Sequence, residues 1–128
     1  MLKKIHHAAI ICSDYEKSKH FYQSILGLSL VAEHYRQDRD SFKLDLALPD
    51  GGQIELFSFP QSLPRPSHPE ARGLRHLAFC VQNIDEAKYL LESRGVIFEQ
   101  IRIDEYTKMR FVFFFDPDGL PLELYESV

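Results

Sequence analysis

The chain has 128 residues, of which 45% are hydrophobic and 27% charged, with a formal net charge of −4 at pH 7. That suits one soluble-type domain with a real core. The negative balance gives no electrostatic reason to expect nucleic acid or an anionic membrane as partner, and no apolar run approaches the ~20 residues needed to cross a bilayer.

The N-terminal stretch "MLKKIHHAAIICSDYEK" carries only a short apolar patch and does not read as a signal peptide. Within it "HHAAIIC" predicts a first strand. A helix follows from Ser13, with Glu16 at capping-box spacing, and stops at Gly27, where a left-handed C-terminal cap is expected. Strands are predicted near 28–35, 42–48 and 53–59, the last two joined through a "PDGG" turn. The segment "FPQSLPRPSHPEARG" (59–73) holds four prolines and reads as a linker. Beyond it "HLAFCV" predicts a strand. A helix follows from Asn83, with Glu86 three residues on, and ends at Gly95. Strands near 96–103, 110–115 and 121–126 close the chain, the last two joined by "PDGL". Cys12 and Cys80 are read as free buried thiols of a reducing cytoplasm.

The second half repeats the first. "LPDGGQIELF" (48–57) lies over "DPDGLPLELY" (116–125) at an offset of 68, and Gly27 lies over Gly95 at the same offset. His7 and Ala9 lie over His76 and Ala78 at an offset of 69. Two copies imply a duplicated unit, not a solenoid. The expected fold is α+β, with two tandem βαβββ modules in a single domain: about 1–59, a linker of about 60–73, and about 74–128.

Strand side chains alternate between faces. Glu55 therefore shares a face with Phe57 and Phe59, and Glu123 shares one with Tyr125. His7 goes with Ala9 and Ile11, and His76 with Ala78 and Cys80. Taken singly, a strand glutamate is ordinarily solvated and a strand histidine ordinarily a core or surface residue. The matched His…Glu, His…Glu pattern shifts the balance, because the four groups point into a partly apolar concavity where an unpaired carboxylate is costly. Two imidazoles and two carboxylates suit zinc, nickel, cobalt, iron or manganese better than calcium or magnesium. His6 is the rival to His7, but alternation turns it to the opposite face. His20, His34 and His68 lack repeat partners and are taken as surface residues.

In "HHAAIICSDYEKSKHFYQSILGL", "GQIELF", "GLRHLAF" and "FFFDPDGLPLELYE" the chain resembles the glyoxalase I branch of the vicinal oxygen chelate (glyoxalase/bleomycin resistance/dioxygenase) superfamily. The resemblance covers nearly the whole chain. It implies curved mixed sheets forming a metal-binding cleft, with His7, Glu55, His76 and Glu123 as ligands of one divalent transition metal, zinc or nickel foremost. It implies a lyase or isomerase acting on the thiol hemithioacetal of a 2-oxoaldehyde such as methylglyoxal. A proton next to a carbonyl would move through a metal-bound enediolate, with Glu123 or Glu55 as the shuttle. It also implies a homodimer. Arg39, Lys43, Arg75, Lys108 and Arg110 are candidate substrate-facing charges, although a rim lysine or arginine is ordinarily a solubilising charge. Phe42, Phe57, Phe59 and Phe113 are candidate pocket walls, although core packing is their ordinary role. Related chemistry on the same scaffold includes an acyl-CoA epimerase of methylmalonyl-CoA type and an extradiol-type dioxygenase, the latter disfavoured by the extra Glu55. A different class altogether is a non-catalytic small-molecule or drug-binding protein.

Overall fold

A computed structural model describes residues 1–127. It forms two units, Met1–Pro64 and a second beginning at Arg65, each built on one open four-stranded mixed sheet.

In the first unit, strand β1 (His7–Cys12) leads into helix α1 (Tyr15–Lys19), which runs on in π-helical geometry through His20–Ile25. Its N-cap is Asp14 rather than the expected Ser13. The Asp14 backbone is extended, and its carboxylate accepts from the Lys17 N–H at 3.1 Å. A carboxylate is the stronger acceptor at the positive end of a helix, so it takes the cap and leaves Glu16 in the first turn. The helix stops where Gly27 turns left-handed (φ 78°). Three antiparallel-connected strands follow: β2 (Ser29–Arg36), β3 (Ser41–Ala47) and β4 (Gln53–Ser58). The sheet order is β1-β4-β3-β2, with β1 and β4 parallel. Alternation divides it cleanly. Ile10, Cys12, Leu44, Leu46, Ile54 and Leu56 are buried with Tyr15, Phe21 and Tyr22 of the helical segment. The side chains between them face the other way.

The second unit repeats the plan. Strand β5 (Leu77–Val81) precedes helix α2 (Ile84–Ser93), capped as expected by Asn83, whose side chain accepts from Glu86 N–H at 3.1 Å. Then come β6 (Arg102–Ile103), β7 (Arg110–Phe115) and β8 (Pro121–Glu126), in the order β5-β8-β7-β6. Val112, Phe114, Leu122 and Leu124 bury one face with Ile84 and Leu91 of α2.

The strand expected over 96–103 is confined to two residues. Residues 96–101 reach β7 by one backbone bond, Glu99 N–H to Phe113 O at 2.9 Å, while Phe98 packs on Phe114. Phe98 is half-buried there, and the ladder is confined to Arg102–Ile103.

The two "PDG" turns have the same wiring. Gly51 N–H donates to Leu48 O and Gly119 N–H to Asp116 O, with φ of 89° and 83° at the glycines. Asp116 is buried, and its carboxylate accepts from the Asp118 and Leu120 N–H groups, both at 2.9 Å. Among the described residues no helix is long and apolar enough to cross a membrane.

Candidate functional site

The register of each parallel strand pair brings a histidine to a glutamate. In β1–β4, Ala9 stands opposite Glu55; in β5–β8, Ala78 stands opposite Glu123. Each histidine lies two residues before that alanine, so imidazole and carboxylate are diagonal neighbours on the open face. The alanine methyl leaves the space between them clear. His7 Nδ1 lies 3.4 Å from Glu55 Oε2, and His76 Nε2 lies 2.9 Å from Glu123 Oε2. The alternation argument thus places His7, Glu55, His76 and Glu123 on sheet faces turned away from the helix-side cores. Among the described residues no group of three or more His, Cys, Asp or Glu side chains is placed to hold a metal ion, so each pair offers one nitrogen and one oxygen donor. A neutral imidazole beside a carboxylate is the donor chemistry of a first-row divalent cation, and each pair fits half of such a set.

The two pairs sit in different electrostatic settings. Glu55 is flanked across β3 by Asp45, its register partner, and by Lys43, whose ammonium is 3.7 Å from Glu55 Oε1 and 2.6 Å from Asp45 Oδ1. The positions equivalent to Lys43 and Asp45 in the second unit are Phe111 and Phe113. Phe113 is the register partner of Glu123 and meets His76 edge-on, with ring centroids 5.1 Å apart. Glu123 is accordingly buried. Burial pushes its carboxyl pKa up, and the adjoining His76 pulls only partly the other way.

His6 departs from expectation. The strand begins at His7, so alternation does not govern the residue before it. The His6 ring meets the His7 ring edge-on, with the two Nδ1 atoms 2.9 Å apart. Cys80 also departs from expectation. It is a free thiol, but an exposed one on the open face beyond Ala78, whereas Cys12 is buried against α1.

The candidate substrate residues scatter. Arg39 is exposed in a short 3-10 turn (Gln37–Arg39), and Lys108 is exposed in the β6–β7 turn with φ 65°. Lys43 is tied into the Asp45–Glu55 cluster, and the Phe57 ring stacks on Phe59 at 6.2 Å. Arg110 faces the opposite way from Phe113. It grips Glu126 through Nε (3.1 Å) and Nη2 (2.8 Å) and reaches Asp85 at 3.0 Å. Glu126 Oε2 also accepts from the Ile84 N–H at the start of α2 (2.9 Å), so this arginine ties the helix to the sheet. Phe42 likewise turns away, stacking on Tyr15.

Arg75 lies beside His76, on the wall of a cavity of about 260 Å³ in the second unit. Arg102 lines the same cavity, with its guanidinium 5.0 and 5.5 Å from the Phe111 and Phe113 ring centroids. Sequence reasoning missed Arg102, because its face is set by β6–β7 register and not by any local pattern.

Comparison with known proteins is consistent with this geometry. Residues 4–124 match the family described as the Glyoxalase/Bleomycin resistance protein/Dioxygenase superfamily. The chain is 62% identical to "Uncharacterized protein YaeR" of Escherichia coli, covering 98% of each, and 58% identical to "Uncharacterized protein YwkD" of Bacillus subtilis, covering 99% of each. It is 28% identical to the lactoylglutathione lyase of Schizosaccharomyces pombe, over 94% of this chain and 46% of that protein. A crystal structure of a glyoxalase family protein from Enterococcus faecalis superposes with a TM-score of 0.91 at 47% identity, covering 97% of this chain and 98% of that one.

Proposed function

The chain belongs to the Glyoxalase/Bleomycin resistance protein/Dioxygenase superfamily, and on that premise we propose that it is a metal-dependent enzyme of glyoxalase I type. It shifts a proton between neighbouring carbons of a small oxygenated substrate, in the first instance a thiol hemithioacetal of a 2-oxoaldehyde. The observation that carries this reading is the duplicated His–Glu pair, set by the same strand register in both units and facing away from both cores. His7, Glu55, His76 and Glu123 would together hold one divalent transition metal, zinc or nickel before cobalt, manganese or iron. When bound, the ion supplies Lewis-acid stabilisation of negative charge on carbonyl-derived oxygen.

Glu123 is the better proton carrier of the two carboxylates. Phe113 stands opposite it where Glu55 has Asp45 opposite and Lys43 alongside, and a poorly solvated carboxylate is the more basic group. It accepts the proton from the carbon next to the carbonyl and returns it to the adjacent carbon, so the reaction is a net isomerisation with no outside reactant. His76, held against Glu123, fixes the carboxylate in place, and the Phe113 ring packs edge-on against that imidazole. Neither Cys12 nor Cys80 is in a disulfide, which supports a place in the reducing cytoplasm.

The test is metal content followed by turnover. Wild type is expected to hold a stoichiometric divalent transition ion per site, and His76→Ala and Glu123→Ala to lose it. A hemithioacetal isomerase assay with several thiols, run beside a methylmalonyl-CoA epimerase assay, then identifies the substrate. A wild-type protein that takes up no transition metal even when supplied with it would return the chain to the non-catalytic binding class.

A further inference from the structure

The cavity beside His76 has the chemistry of an anion site. Its lining lies wholly within the second unit. Three arginines, Arg65, Arg75 and Arg102, line it against two glutamates, Glu70 and Glu99. Neither glutamate satisfies its arginine. The Arg75–Glu70 and Arg102–Glu99 separations are both 3.9 Å, beyond hydrogen-bond length, so each guanidinium retains donors for another acceptor. Arg102 is the more organised of the two. Its cationic plane lies over Phe111 and Phe113, which holds the fork in place without consuming its N–H groups. Arg65 donates through Nη2 to Leu74 O (2.7 Å) and Arg75 O (2.9 Å), bracing the backbone that carries Arg75.

We propose that this cavity is a subsite for the oxyanion tail of a small acid, a carboxylate or a phosphoryl group, gripped by the Arg102 and Arg75 forks next to His76. Its place in catalysis rests on the function proposed above; its binding chemistry does not. A guanidinium fork matches the paired oxygens of such groups. The volume sets the size: about 260 Å³ is below the usual ~300–1,000 Å³ of sites for drug-sized ligands. The substrate then carries a short acidic arm whose charged end sits against Arg102 while its reacting carbon lies toward His76 and Glu123.

The experiment titrates the full-length, metal-free protein with inorganic phosphate, phosphonoacetate and acetate, read by amide chemical shifts and calorimetry. Saturable binding with shifts centred on His76, Phe113 and Arg102 is expected, and the ranking of phosphate against acetate tells which oxyanion the site takes. Arg102→Gln and Arg75→Gln should each weaken binding about tenfold, the scale of a lost charge-assisted hydrogen bond. Lys17→Gln, at a position on α1 that does not line the cavity, should not. Glu99→Gln and Glu70→Gln should tighten binding about twofold by removing weak competitors, an effect that misfolding would not produce. No saturable binding of any of the three anions, or binding indifferent to Arg102→Gln, would overturn the proposal. Anion binding without metal uptake would remove the enzymatic reading and leave this subsite standing. Metal uptake without anion binding would remove the subsite alone.

Discussion

Glu123→Gln should be more stable than wild type without metal at neutral pH and less stable than wild type with it. Glu123 is 7% exposed, and burial raises its folded-state pKa. The folded protein therefore holds this proton more tightly than the unfolded chain does. The stability contributed by the protonated form is fully present below the unfolded carboxylate pKa and is lost as pH rises through the folded one. Glutamine keeps the shape and an oxygen that can accept from His76, and it removes the charge. Its advantage over wild type should be near zero at about pH 4 and grow to about 1 kcal/mol at neutral pH, the low end of the cost of an imperfectly satisfied buried polar group. For a chain of this length that is a rise in Tm of about 4 °C. A divalent ion at about one hundred times its Kd adds about 2.7 kcal/mol to whichever protein binds it. Zinc or nickel should therefore lift wild type above Glu123→Gln, because the variant has lost one anionic ligand. Thermal melts of both proteins across pH, with and without metal, check this. A metal-free Glu123→Gln that melts below wild type at neutral pH, or a variant that gains as much from metal as wild type does, would refute the reasoning.

Further outcomes follow from the same coordinates. Arg110→Met should lower Tm and flatten its acid limb. Arg110 first, and then the Ile84 N–H, hold the Glu126 carboxyl below its ordinary range, so the stability that Glu126 contributes is present above the unfolded carboxylate pKa and lost as pH falls through the folded one; melts between acid and neutral pH measure it. Gly119→Ala should cost about 1–2 kcal/mol in urea unfolding, because φ at that turn is 83° and an L side chain there is strained. A thiol reagent should modify Cys80 in the native protein and Cys12 only after denaturation, counted by absorbance, because Cys80 is exposed and Cys12 buried.

The duplicated plan was legible in the sequence because it rests on local rules. Period-two alternation separated Glu55 and Glu123 from the leucines beside them. Gly27 and Gly95 marked helix ends, and the two "PDG" turns set the hairpins whose register carries each glutamate. Those same rules located all four His and Glu positions, since the side of a strand on which a residue projects depends only on parity. They failed at element boundaries and wherever a partner distant in sequence decided the outcome. Asp14 took the cap from Ser13 by competing as an acceptor, and residues 96–101 have one backbone bond to β7 while Phe98 packs on Phe114. His6 escaped parity by lying outside the strand. The separation of Arg110 from Arg102 was likewise invisible. Both are arginines near a strand end, yet one is bound to Glu126 and α2 and the other lies over two phenylalanines beside a cavity. Chain-local chemistry determines which residues can face together. The packing of α2 and the pairing of β6 with β7 decide which charges are spent on the fold and which remain available to a ligand, because an ion pair depends on distances that no stretch of sequence contains.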